Sequence, residues 1–140
     1  MMTLVISGFP GIGKTTYKNS ATETTVLDSD SSHFPKDNFP QNYIDYIKSN
    51  IGTADVILVS SHAAVREALI ENKIPYTLVV PDIDLLEEYK ERYARRGSSP
   101  LFIELLETNW KDWLSNQKDE HVIVLGSGEY LSDAIARGQK

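Results

Sequence analysis

The residues Gly8-Phe9-Pro10-Gly11-Ile12-Gly13-Lys14-Thr15-Thr16 stand directly behind the apolar run Thr3-Leu4-Val5-Ile6. Their chemistry is that of an anion cradle. Gly8, Gly11 and Gly13 permit a backbone, Ile12 included, that curls around a phosphate with successive N–H groups turned inward. A helix starting behind the loop adds the positive end of its dipole. Lys14 would then reach the β- and γ-phosphates of a nucleoside triphosphate, Thr15 would offer its hydroxyl to Mg²⁺, and Thr16 would contact the α-phosphate.

Such a loop works only between a strand and a helix, and the pattern along the chain supplies both. Five short, mostly apolar runs read as strands: Thr3–Ser7, Thr25–Asp28, Asp55–Ser60, Tyr76–Val80 and His121–Leu125. They lack alternation, as expected for strands covered on both faces of a parallel sheet. Helix signals separate them. Asp82, Asp84, Glu87 and Glu88 crowd the first half of 82–96 and Arg92, Arg95 and Arg96 its last turn, complementing the dipole, and Gly97 supplies a stop. Ser99-Pro100 restarts a helix whose buried stripe is predicted to be Phe102, Leu106, Trp110, Trp113 and Leu114. Residues 31–41 carry two prolines and read as a loop, before a helix through Tyr43, Ile44, Ile47 and Ile51. Alternating β and α elements predict a single three-layer α/β domain over residues 1–140, with a five-stranded parallel sheet between helices.

Composition narrows the function classes. The 20 acidic residues outweigh 14 Lys and Arg, a formal charge of −6, which gives no general attraction for a phosphate backbone and disfavours nucleic acid as partner. There is no cysteine, so disulfides and thiolate metal sites are excluded. No apolar run approaches the roughly 18 residues needed to span a bilayer, and no basic leader is seen, so the expectation is a cytoplasmic protein without a membrane partner.

The loop resembles the Walker A motif of P-loop proteins, and its place behind the first strand resembles that in P-loop kinases. The base-reading N/T-K-x-D of GTPases is missing, and the strand Asp55-Val56-Ile57-Leu58-Val59 ends in Ser60-Ser61-His62 rather than in the acidic residue of motor ATPases. Most of the chain is similar to the nucleoside monophosphate kinase-like superfamily, nearest its gluconate-kinase and adenylylsulfate-kinase branch. Leu27-Asp28-Ser29-Asp30-Ser31-Ser32-His33 resembles the L-D-x-D-x-x-R of adenylylsulfate kinases. The resemblance implies that Asp30, with Asp28 beside it, meets the acceptor hydroxyl, and it puts His33 where an arginine is expected. A histidine is shorter and no bidentate clamp, so the group held there can differ. The same acids also read as an ordinary hydrogen-bonded turn.

Val59-Ser60-Ser61-His62-Ala63-Ala64-Val65-Arg66 resembles the V-S-C-S-A-L-K segment of gluconate kinases, which implies that Ser60 or Ser61 binds the substrate or water around Mg²⁺ and that Arg66 reaches an anionic acceptor. Equally, Ser61 could be a helix cap, His62 a surface residue and Arg66 the partner of a Glu on the outer face. Glu91-Arg92-Tyr93-Ala94-Arg95-Arg96-Gly97 matches the place of a small helical lid, about 90–100 here, whose arginines neutralise the migrating phosphoryl group. By that resemblance Lys14, Asp30, Arg92 and Arg96 are catalytic and Arg95 binds substrate. Gly126, in Leu125-Gly126-Ser127-Gly128-Glu129-Tyr130, falls where adenine packs on backbone. The implied protein is an ATP- and Mg²⁺-dependent kinase of a small-molecule acceptor. A nucleoside or nucleotide is favoured by the aromatic residues Phe34, Phe39, Tyr43 and Tyr46, which read equally well as core. Open alternatives are a sugar metabolite, a polynucleotide 5′-hydroxyl, a cell-wall sugar nucleotide, or a regulatory nucleotide-binding module.

Overall fold

A computed structural model describes residues 3–20, 25–28, 36–61, 63–115 and 121–138. Asp30, His33, Phe34 and His62 therefore lie outside the described residues, as do the side chains of Thr15 and Asp28.

All five apolar runs are strands, each displaced by at most one residue from the sequence reading at either end. In chain order the elements are β1 Leu4–Gly8, α1 Lys14–Ser20, β2 Val26–Asp28, α2 Gln41–Asn50, β3 Val56–Ser60, α3 Ala63–Glu71, β4 Thr77–Pro81, α4 Leu86–Arg95, α5 Pro100–Ser115, β5 Val122–Leu125 and α6 Leu131–Gly138. Every strand pair is parallel, and the sheet order is β2-β3-β1-β4-β5. Val5, Ile57 and Val59 pack with Tyr43, Ile44 and Ile47 of α2 and Val65 and Leu69 of α3. Ile6 and Val79 instead meet Ala134 and Ile135 of α6, so neighbouring strand residues serve opposite helical layers. The result is a three-layer α/β arrangement.

The order of the strands decides where chemistry can happen. β1 is central, with β3 on one side and β4 on the other. The chain leaves β1 for the β2 side and later crosses from β3 to β4, which makes the carboxyl end of β1 the switch point where ligand crevices open. The glycine loop is attached at that end.

Local signals explain the helix ends. Ser99 caps α5, its Oγ accepting the Phe102 N–H at 3.2 Å, and Pro100 occupies the first helical position. Gly97 takes φ +83°, which lets the Ser98 N–H reach the Tyr93 carbonyl at 2.9 Å and the Gly97 N–H that of Ala94 at 3.1 Å. A Cβ on Gly97 would touch nothing within 4 Å, so only the backbone conformation resists a side chain. Gly97→Ala is expected to cost about 1 kcal/mol and lower the melting temperature by about 3–5 °C, with secondary structure retained by circular dichroism.

Three sequence expectations need correction. The predicted helix 82–96 begins as a short 3-10 turn over Ile83–Leu85, because the Asp82 carboxylate accepts the Asp84 N–H at 2.9 Å and holds a tighter turn before α4. Ile51 is not part of α2: it is the C-cap, in an extended conformation and 42% exposed. Trp113 is 42% exposed rather than buried, because the inward row of α5 runs through Phe102, Leu106, Trp110 and Leu114, four residues apart, and Trp113 falls to its edge. Among the described residues, no helix is long and apolar enough to cross a membrane.

Candidate active site

The loop between β1 and α1 is held from outside by its carbonyls. The Tyr93 hydroxyl donates to the Pro10 carbonyl. Arg92 Nη1 donates to the Gly11 carbonyl at 3.0 Å, and the Leu131 N–H to the Ile12 carbonyl at 2.7 Å. A trans peptide unit is planar, so an outward carbonyl turns the N–H of the same unit the other way. The Ile12 N–H closes a turn onto the Phe9 carbonyl at 3.4 Å, and the N–H groups of Gly11 and Gly13 therefore face away from Tyr93 and Leu131.

The glycines are needed for close approach. Gly11 and Gly13 have φ +87° and +97°. A Cβ on Gly11 would lie 2.8 Å from the Tyr93 ring, and one on Gly8 2.7 Å from Ile12 Cδ1. Lys14 bends back along this surface, its Nζ donating to the Gly8 carbonyl at 2.8 Å. Ile12 anchors the loop with a fully buried side chain.

Above the loop opens a cavity of about 660 Å³. Gly11, Gly13, Lys14 and Thr16 line it from the loop and α1; Arg92, Arg95 and Arg96 line it from α4 and the turn behind it. Four cations around one cavity in a chain of charge −6 make a local reversal of sign. The structure thus brings together Gly11, Gly13, Lys14, Thr16 and the three arginines singled out from the sequence.

The three arginines do different things. Arg92 has a side chain only 8% exposed and is a structural hub. Besides Gly11 it donates to the Glu129 carbonyl at 2.9 Å and to Glu88 Oε2 at 3.0 Å, and its guanidinium lies between the rings of Tyr89 and Tyr130, 4.3 and 4.0 Å from their centroids. Arg95 reaches Glu91 at 3.4 Å and is largely exposed. Arg96 donates to Ser98 Oγ at 3.1 Å and lies over the Tyr93 ring at 4.9 Å. The segment expected to form a lid is docked: Tyr89 and Tyr93 are fully buried, and Lys90 bridges to Glu107 of α5 at 3.1 Å. Arg95 and Arg96 sit at its outer end.

Glu88 completes the support. It accepts the Ser127 hydroxyl at 2.6 Å, the Gly128 N–H at 3.1 Å and Arg92, tying α4 to the turn after β5. The Ser127 hydroxyl, the Gly128 N–H and the Arg92 charge hold the Glu88 carboxyl below its ordinary value of 4.5. Burial pushes the Tyr89 phenol up to about 12 and raises that of Tyr93 as well, so both stay neutral.

In the turn after β5 the cavity-lining residue is Tyr130, not Gly126, whose N–H is held by Glu129 Oε1 at 2.6 Å. Ser61 and Arg66 do not join the large cavity; they line a second one beside it, where Arg66 Nε donates to the Ser61 carbonyl at 2.9 Å. Tyr43 is fully buried, and Phe39 and Tyr46 pack partly buried against the same core cluster, so these aromatic residues build the interior. Asp28 closes β2 opposite Leu58. The sequence reading missed Glu88, Tyr93 and Tyr130; the pair Tyr89 and Tyr93, one turn apart, was the available signal that this face of α4 is buried.

The glycine cradle and its cations fit a nucleoside triphosphate. Among the described residues no group of three His, Cys, Asp or Glu could hold a metal ion. By the resemblance, the residue that would hold magnesium is Thr15, at the start of α1. Compared with protein-family models and with curated proteins, the chain matches none.

Proposed function

We propose that the chain is an ATP-dependent phosphotransferase of the P-loop kinase type, moving the γ-phosphoryl group of Mg-ATP to a small acceptor. One observation carries this reading: a glycine loop with Gly11 and Gly13 at positive φ bordering a cavity lined by Lys14 and three arginines. Phosphoryl transfer asks a protein mainly for position and charge neutralisation.

Each residue then has a task. The loop N–H groups and Lys14 hold the β- and γ-phosphates, Lys14 exchanging the Gly8 carbonyl for a phosphate oxygen. Tyr130, backed by Arg92 on one ring face, offers its other face to the base. Arg95 and Arg96 stand at the mouth of the cavity, where long cationic side chains can fold over the phosphates and exclude water. Magnesium, when bound, neutralises charge on the β- and γ-oxygens. By the resemblance, Asp30 orients the acceptor hydroxyl. A protein with this task works in the cytoplasm, where ATP is available.

The test is a coupled ADP-release assay with Mg-ATP against nucleosides, nucleoside monophosphates, sugars, small hydroxylated aromatic acids and 5′-hydroxyl oligonucleotides. Release should rise at least about tenfold over the acceptor-free rate with one class, since water is a poor substitute for a positioned hydroxyl. Release independent of every acceptor would favour a regulatory nucleotide-binding module.

A further inference from the structure

The second cavity, about 300 Å³, opens between the start of α3, β4 and α5. Its walls are rings and branched chains, among them Phe9, Leu78, Val80, Phe102 and Trp113. The rings are set at angles that leave a slot. Phe9 stands edge-on to Trp113, centroids 6.4 Å apart and planes at 66°, and Trp110 holds Phe9 from behind at 5.5 Å. Among the described residues, two that line it are polar: Ser61 and Arg66, the latter braced by the Ser61 carbonyl.

Position gives this slot its meaning. Pro10 lines both this cavity and the large cationic one, so the two meet at the loop. The Tyr93 hydroxyl fixes that meeting point at the Pro10 carbonyl. A ligand in the apolar slot would therefore border the cationic cavity at Pro10.

The lining discriminates among ligand chemistries. A sugar would bring a ring of hydroxyls to walls that cannot pair them, each unmatched polar group costing about 1–3 kcal/mol. A polynucleotide end would bring several negative charges to one arginine. A flat apolar body with a single anion matches both the walls and the charge count, and the volume, at the small end of the roughly 300–1,000 Å³ of ligand pockets, suits one or two rings.

We propose that this slot is the acceptor pocket and takes a one- or two-ring apolar molecule with one anionic group, paired to Arg66, and one hydroxyl turned toward Pro10. The proposal rests on the phosphotransferase reading above. In the reaction the acceptor oxygen forms a bond to the γ-phosphorus of Mg-ATP as the bond from that phosphorus to the β–γ bridging oxygen breaks. ADP leaves with the electron pair, and the acceptor proton passes to solvent.

The test uses 6-hydroxy-2-naphthoate, a fluorescent two-ring acid with one hydroxyl, titrated into the full chain saturated with a Mg-bound non-hydrolysable ATP analogue. The expected result is one site per chain. Arg66→Gln should weaken the naphthoate about tenfold while leaving 2-naphthol, which lacks the anion, within twofold; Leu105→Glu, at a lining position 53% exposed, should weaken both about tenfold. Melting curves check that each variant is folded, and either variant alone suffices as the test. No binding to the parent chain, unchanged affinity in the folded variants, or mutual exclusion of naphthoate and nucleotide overturns the proposal. Failure of the nucleotide analogue itself to bind would instead sink the phosphotransferase reading, and titrating the nucleotide-free chain would still decide the ligand class of the slot.

Discussion

Lys14→Ala is expected to lower phosphoryl transfer by about 10²–10³-fold or more and to weaken Mg-ATP binding by at least about tenfold, while the fold survives. The reason lies in the double use of Lys14 Nζ. It donates to the Gly8 carbonyl at 2.8 Å, a partly buried contact whose loss should cost about 1 kcal/mol or less, because water can replace it. On the proposed reading, the same ammonium meets the β- and γ-phosphates when nucleotide binds. The signature of this account is therefore a split: near-parental melting temperature, lost nucleotide affinity. Differential scanning fluorimetry together with nucleotide titration of the same sample reads both halves.

Arg92→Ala is expected to do the reverse, with stability as its primary loss. The substitution leaves the carbonyls of Gly11 and Glu129 and the carboxylate of Glu88 short of a donor, and it removes the cation between Tyr89 and Tyr130. Breaking a buried, multiply bonded charge typically costs about 3–5 kcal/mol, which for a domain of this size corresponds to roughly 10–15 °C in melting temperature. Arg92→Lys should recover less than half, since an ammonium is not a planar fork that can serve Gly11, Glu129 and Glu88 at once. Nucleotide affinity should fall too, because the loop loses the donor that holds its Gly11 carbonyl.

The pH dependence follows from Glu88. Its carboxyl is held below the ordinary 4.5 in the folded chain, so its contribution is present above the ordinary carboxylate range and is lost as pH falls through the lowered value. In Arg92→Ala that acid-side loss should be shallower but still present, since Ser127 and Gly128 continue to donate. Melting temperatures of parent and variant between pH 3 and 7 compare the two slopes.

What could be read from the sequence was local. Short unalternating apolar runs gave five strands, and Ser99-Pro100 and Gly97 marked helix ends, because caps and stops depend on neighbours a few residues away. The glycine spacing marked the loop between β1 and α1 for the same reason. The supports of the cradle were not legible: Arg92 and Tyr93 meet Gly11 and Pro10 across 81 and 83 residues of chain, and nothing local tells an arginine that anchors a loop from one that faces a ligand. Three arginines within five positions looked equivalent until packing of Tyr89 and Tyr93 turned Arg92 inward and left Arg95 and Arg96 outward. Ser61 and Arg66 were singled out from a resemblance; that they share an apolar slot with Phe9 and Trp113 depends on α5 crossing the end of β4, which no run of residues predicts.

The central claim is that residues 8–16 cradle a triphosphate. Isothermal titration of Mg-ATP into the parent chain and into folded Lys14→Ala tests it most directly. One site per chain, weakened at least about tenfold by the substitution, is the predicted result; equal affinity in the two chains would contradict it.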